Sequence, residues 1–340
     1  MKSPSPALRS RLFVAPLLLQ FMLFVGVVCT HSLNSQKATA QDQIFLVSTR
    51  GIGTKCSSKA MQEGLRCEQL TRDTDGELRW HASHWNKITD DSTPTVIYVH
   101  GNRIPSGIDK PHGLQVYTTL CRSQATTPLR FIIWSWPSEQ IRGQLKDYQV
   151  KAARTRPVGW QLAWAVDQLS AETPVGIVGY SYGARVATGT LHLLAGGSLN
   201  GLKLTQRRHP QRAPIPTVLI AAATNQSWLS PRGYHGRAGR MMDSLMLVNN
   251  RHDPAMKFYA LGIGQRGARA LGYEGIAARS LTKINGKFRS YDATKGVGRD
   301  HSLHKYLAAV PQIAMLKQQV ASQQVVSNTA SATYKQSPRS

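Results

Sequence analysis

Apolar residues in this chain fall into short runs separated by polar, glycine-rich punctuation. Residues 44–49 (IFLVST), 95–99 (TVIYV), 129–134 (LRFIIW), 174–178 (PVGIV), 217–222 (TVLIAA) and 244–248 (SLMLV) are apolar or β-branched at nearly every position. Runs of that length predict strands buried on both faces. Residues 287–291 (KFRSY) predict a last strand. Two weaker strands, 67–71 (CEQLT) and 78–81 (LRWH), flank the turn signal Asp73-Thr74-Asp75-Gly76. Helical spacing takes over at 158–169, 184–195 and 303–316, and a further helical stretch carries Cys121. Strand alternating with helix predicts an α/β fold: a mostly parallel central sheet with helices on both faces. The two turn-linked strands predict an antiparallel N-terminal edge.

The ends break this pattern. Lys2, Arg9 and Arg11 precede an apolar run over 12–29, interrupted by Pro16 and Gln20, and the small-residue site Ala38-Thr39-Ala40 follows. A basic flank before an apolar run is the mark of export. Residues 1–40 therefore predict a cleaved signal peptide or an N-terminal membrane anchor, with the folded part outside the cytoplasm. Residues 318–340 are rich in Gln, Ser, Ala and Thr without apolar periodicity and predict a disordered polar tail. One α/β domain over 41–317 remains.

Composition adds exclusions. The 340 residues hold 42 Lys and Arg against 18 Asp and Glu, a formal charge of +24, yet 41% are hydrophobic. That apolar share excludes a disordered basic tail protein. Four Cys without a C-x-x-C pair exclude a disulfide-dense scaffold and a cysteine-rich zinc module. An oxidising compartment would permit a disulfide between Cys56 and Cys67. No His or carboxylate cluster has metal-ligand spacing, and no cofactor motif is present. The excess of positive charge gathers after Lys203, for example at Arg207, Arg208, Arg212 and Arg232, without any sequence-specific nucleic-acid motif. A solvated basic surface accounts for this charge; the sharper alternative is adhesion to an anionic envelope lipid or polysaccharide, because a charge of this size attracts polyanions.

Candidate chemistry sits where strands end, the place where ligands of parallel sheets bind. After PVGIV comes Gly179-Tyr180-Ser181-Tyr182-Gly183, a G-x-S-x-G sequence between strand and helix. Glycines at both ends permit a sharp turn that lifts the Ser181 hydroxyl clear of the sheet. Such a hydroxyl needs a base, itself oriented by a carboxylate. Asp253 follows the strand SLMLV, and His301 lies between the last strand and the last helix, so the chain order is Ser, Asp, His. Asp253 also precedes Pro254-Ala255-Met256 as a helix N-cap would. Asp292 and Asp300 compete as the acid, His304 competes as the base, and His252 adjoins the acid in sequence. An oxyanion hole needs two backbone N–H groups. The expected donors are Tyr182, directly after the serine, and Asn102, in the His100-Gly101-Asn102 stretch that ends the strand TVIYV.

These residues carry a resemblance. The chain resembles the α/β-hydrolase superfamily and is similar to a bacterial branch of it that has no assigned function. His100-Gly101-Asn102 resembles that branch's H-G-aromatic-Asn without the aromatic. Trp134-Ser135-Trp136-Pro137-Ser138 matches its S-W-P-S strand end, and Asp253-Pro254-Ala255-Met256 with the basic loop at 264–272 matches its acid loop. The elbow has Y-S-Y-G where members often have H-S-M-G. The resemblance spans roughly residues 44–316 and implies a Ser-His-Asp hydrolase of small-molecule or lipid acyl substrates, carboxylic esters foremost. The alternative is a non-catalytic envelope-associated protein of the same fold that binds anionic polymers or lipids. The Gly-, Pro- and Arg-rich stretch 197–216 is a candidate lid.

Overall fold

In the computed structural model, described over residues 41–265, 267–276 and 287–324, nine strands form one sheet. They are β1 (Gln43–Ser48), β2 (Arg66–Arg72), β3 (Leu78–Ser83), β4 (Thr95–Val99), β5 (Arg130–Ser135), β6 (Val175–Tyr180), β7 (Ile215–Ile220), β8 (Met242–Asn249) and β9 (Lys287–Asp292), in spatial order β3-β2-β1-β5-β4-β6-β7-β8-β9. The β1–β2 and β2–β3 pairs are antiparallel, and every pair from β1–β5 to β8–β9 is parallel. The expected sheet and its antiparallel edge are both there. Strands β4 to β7 are buried at every position, whereas the edge strands β3 and β9 have none buried. Apolar side chains on both faces thus mark the centre, and alternation or polarity marks the margins.

The helices are α1 (Ser58–Gly64), α2 (Asn86–Thr89), α3 (Asp109–Leu120), α4 (Gln144–Gln168), α5 (Tyr182–Leu194), α6 (Pro254–Lys257), α7 (Tyr259–Ile263), α8 (Leu271–Glu274), α9 (Thr294–Val297), α10 (Leu303–Ala309) and α11, over 315–324. The chain crosses from β4 through α3 to β5 on one side. It then returns through α4 to β6 on the other side of β4. The strand order reverses there, and the loops leaving β4 and β6 stand side by side at the switch point.

Three expectations need correction. Helix α4 starts fourteen residues before the predicted 158, because Pro157 and the polar run ahead of it read as a break. Gly143, at φ 90°, turns the chain into the helix. Asp147 and Lys151, four residues apart and both fully buried, pair at 3.0 Å within the polar half. The predicted helix 303–316 is interrupted by Pro311: Val310 before it leaves the helical conformation (φ −131°, ψ 74°) and a 3₁₀ turn, Pro311–Ala314, follows. The fold then runs on to residue 324 rather than giving way to a tail at 318. Leu316 and Val320 are fully buried against Gly176 of β6, where a Cβ would meet Val320 Cγ2 at 2.6 Å. The remainder of the expected tail, and the leader over 1–40, lie outside the described residues. Cys56 and Cys67 are not bridged. Burial pushes their thiols up, to about 11 and about 12.

The stretch 197–216 is not a lid. Asp167, on the last turn of α4, accepts from the N–H groups of Arg208 (2.6 Å) and His209 (3.2 Å). Arg212 donates to the carbonyls of Thr173 and Ser170. This anchors the stretch at the end of α4 that leads into the start of β6, the sheet edge opposite Ser181.

Candidate active site

Ser181 follows β6 and caps α5 with φ 54° and ψ −120°, a conformation L-residues seldom hold unless surrounding structure imposes it. Its N–H donates to Ile220 O (3.0 Å), and its carbonyl accepts from Ala184 N and Ala223 N (both 3.1 Å). The two elbow glycines are required by close approach. A Cβ on Gly179 would stand 2.6 Å from Ala184 Cα, and one on Gly183 would stand 2.0 Å from Val99 O at the end of β4.

The structure brings Ser181, His301 and Asp253 into one hydrogen-bonded row. His301 Nε2 lies 3.0 Å from Ser181 Oγ, and His301 Nδ1 lies 2.6 Å from Asp253 Oδ2. With the proton on Nδ1 donated to the carboxylate, the Nε2 lone pair accepts the serine O–H. Asp253 is fully buried, Ser181 is nearly so, and the His301 side chain is 28% exposed. The N-cap reading of Asp253 also holds, on its other oxygen: Oδ1 accepts from Ala255 N (2.9 Å) and Met256 N (3.2 Å). Both functions fit because a carboxylate offers acceptor sites on each oxygen.

The competitors are directed elsewhere. His304 and His252 are exposed. Asp300 accepts from Ser302 N and pairs with Lys305 Nζ, both at 2.6 Å; Lys305 and Ser302 hold its carboxyl well below the usual range. Asp292 accepts from Thr294 N (2.9 Å) at the end of β9.

Several supporting side chains carried no sequence signal. Tyr306 O–H, on α10, donates to Asp253 Oδ2 at 2.6 Å. Tyr180 donates to the carbonyl of His301, and its ring stacks on the imidazole at 5.4 Å. Asn250 Nδ2 donates to Gly298 O (2.8 Å), tying the loop after β8 to the loop after β9.

On the other flank, Gly101 comes so close that a Cβ there would stand 3.0 Å from Ser181 Cβ. Asn102 follows directly, and Tyr182, the first residue of α5, belongs to the turn whose N–H groups have no intrahelical acceptor. Asp147, on α4, ties the loop down. Its carboxylate accepts from Asn102 Nδ2 (3.2 Å), Arg103 Nε (2.8 Å), Lys151 Nζ (3.0 Å) and Ile141 N (3.0 Å). Burial opposes its charge, but Arg103 and Lys151 outweigh burial and hold the carboxyl below its ordinary range. Arg103, at φ 58°, donates its N–H to Ser138 O (2.8 Å). His100 stacks on Trp136 (5.6 Å); its Nε2 accepts the Trp136 backbone N–H at 3.3 Å, and its carbonyl accepts the indole N–H at 2.9 Å. Burial pushes His100 down to about 3, so it is neutral. A groove of about 460 Å³, with Arg154, Arg156 and Leu199 in its lining, includes none of these side chains.

A doubly crossed parallel sheet, an antiparallel edge and a strained serine between β6 and α5 define an α/β-hydrolase-type fold. By sequence, the chain matches no family model and no curated protein. By structure it is similar to esterase B from Lactobacillus rhamnosis (11% identity, TM-score 0.41, covering 88% of this chain and 91% of that one). It is also similar to the catalytic core of acetyl xylan esterase from Trichoderma reesei (16%, 0.36, 68% and 98%) and to an esterase from Pyrobaculum calidifontis (13%, 0.34, 78% and 82%). At such identities and scores the likeness assigns neither an activity nor a residue.

Proposed function

We propose that the protein is an exported serine hydrolase of carboxylic esters. The observation that carries this reading is the row Ser181 Oγ–His301 Nε2–Asp253, at 3.0 and 2.6 Å, beginning on a strained elbow. Export rests on the basic flank and apolar run of residues 1–40.

In this mechanism Ser181 Oγ attacks the acyl carbon while His301 Nε2 takes the hydroxyl proton. The carbonyl oxygen gains negative charge and is held by the N–H groups of Asn102 and Tyr182. Imidazolium then gives its proton to the departing alkoxide, the C–O bond to the alcohol breaks, and an acyl-serine remains. A water molecule repeats the sequence. Its proton goes to His301 and its oxygen to the acyl carbon, and Ser181 leaves with the proton returned. Asp253 stays ionised, keeping the Nδ1–H tautomer and stabilising imidazolium.

A fluorophosphonate probe tests the reading. Wild-type protein should be labelled covalently at one serine, and Ser181→Ala should be unlabelled, with turnover of an activated ester lower by roughly 10⁴-fold or more. Labelling or turnover that persists in folded Ser181→Ala would remove Ser181 from the chemistry. A wild type that neither labels nor turns over would favour the non-catalytic alternative.

A further inference from the structure

Among the described residues, five large hydrophobic side chains are strongly exposed: Leu78 (40%), Ile108 (52%), Leu145 (58%), Phe258 (55%) and Leu261 (68%). Scattered exposed apolar residues are ordinary, but these are not scattered. Leu78 alone is on the antiparallel edge. Ile108 follows β4, Leu145 opens α4 after β5, and Phe258 and Leu261 follow β8 on the acid loop. All four therefore stand on segments that leave the carboxyl ends of the parallel strands, as Ser181 does. Leu145 and Leu261 also belong to one packed pair of helices. A Cβ on Gly262 of α7 would meet the Tyr148 side chain of α4 at 3.5 Å, and one on Gly264 would meet Gln149 at 3.1 Å.

The charges on these segments sort by sign. Arg142 and Lys146 flank Leu145, Arg251 and Lys257 precede Phe258, and all four cations are exposed. Lys257 Nζ stands 5.7 Å from the Phe258 ring. Among the acids of the same segments, Asp147 and Asp253 are fully buried, and the half-exposed Glu139 is neutralised by its pair with Arg50. The outward face thus carries apolar points flanked by cations, with its one half-exposed acid already paired.

We propose that this face docks on an anionic phospholipid surface, with Leu145, Phe258 and Leu261 entering the acyl boundary and the flanking cations meeting headgroup phosphates. Apolar insertion plus cationic headgroup contact is the combination that holds a protein in a membrane interface. It requires no spanning segment, and no described helix is long and apolar enough to cross a membrane. A second copy of the chain suits the face less well, because a two-fold contact would set its cations against themselves. The proposal rests on this surface and not on ester hydrolysis, so a failure of either leaves the other testable.

The test uses the full chain carrying an environment-sensitive dye at Leu261→Cys, with Leu78→Cys as the control on the far edge. Unsubstituted protein is labelled in parallel to subtract native thiols. Phosphatidylcholine vesicles containing phosphatidylglycerol should shift the dye at position 261 to the blue. Pure phosphatidylcholine should not, nor should position 78 respond, and added salt should weaken the shift. Adding Leu145→Ser and Phe258→Ser should raise the lipid needed for half the response about tenfold or more. Equal responses at 261 and 78, or none at either, would overturn the proposal. Self-association abolished by Phe258→Ser, without a vesicle response, would give the face to a second copy and overturn it equally.

Discussion

Ser181 is flanked by two supports of opposite kind. On the side of β8 and β9, one buried carboxylate is held by neutral groups: two backbone N–H groups, the Tyr306 hydroxyl and the His301 ring, with Tyr180 and Asn250 fixing the loop that carries the ring. On the side of β4 and β5, the Asp147 carboxylate is held by Arg103 and Lys151. The proposed chemistry accounts for the difference. A ring that must gain and lose a proton is served by neutral neighbours, because a cation beside it would oppose the charged form. A backbone loop that only positions N–H groups changes no charge, so ion pairs can lock it. The first side is arranged for proton traffic, the second for rigidity.

The comparison breaks most readily at the proton side. His301→Ala should lower turnover of an activated ester about as far as Ser181→Ala, and the double variant little further, because these residues act as a unit. Asp253→Asn should cost roughly 10³–10⁴-fold through the wrong imidazole tautomer, while its remaining oxygen keeps the cap on α6 and the melting temperature close to wild type. Steady-state kinetics beside thermal melts decide this; loss of the fold in Asp253→Asn would show the cap to be its main task.

On the rigid side the balance reverses. Asp147→Asn leaves Lys151 buried without a counter-charge and should cost roughly 3 kcal/mol in denaturant unfolding. It should lower kcat about 10²-fold with little change in KM, since the loop positions the developing oxyanion. Unchanged stability would show that the network adds nothing to the fold.

At neutral pH the protein should be insensitive to small pH changes, and acid should act on its stability. Burial pushes His112 down to about 4 and His100 to about 3, from 6.5. The unfolded chain therefore binds protons that the folded one refuses. Stability should be full above about pH 6.5 and decline as pH falls towards 4 and 3. His112→Gln should flatten that decline; an unchanged slope would sever the link. The smallest change belongs to Tyr306→Phe, which removes one of several bonds to Asp253 and should reduce kcat by about 3–10-fold. His304→Ala serves as its control, with turnover kept.

The legible parts of the molecule were those with local causes. Continuous apolar runs marked β4 to β7, and glycines around a serine between strand and helix marked the elbow. Asp253 and His301 could be set near Ser181 because each follows a strand of one parallel sheet. The first half of α4 was not legible, since it is held by a buried ion pair, by Tyr182 bonded to the Tyr148 carbonyl and by α7 packed on Tyr148 rather than by an apolar stripe. Tyr306 and Asp147 escaped for a related reason: their partners lie 53 and 45 residues away, at distances no spacing rule spans. The break at Pro311 has a local cause, a proline inside an otherwise helical spacing.

The elbow divides five consecutive positions by what can be changed. Positions 179 and 183 are closed by backbone atoms of the helix and of β4, and 181 carries the hydroxyl. Positions 180 and 182 remain: Tyr182 reaches the carbonyl of Tyr148 on α4, whereas Tyr180 reaches the His301 loop and also lies against Gly101 after β4 and the His112 ring. Replacing Tyr182 should alter the brace to α4 alone, whereas replacing Tyr180 should alter both flanks of the serine. A designer thus has one local adjusting screw, at 182, and a second, at 180, that turns both walls together.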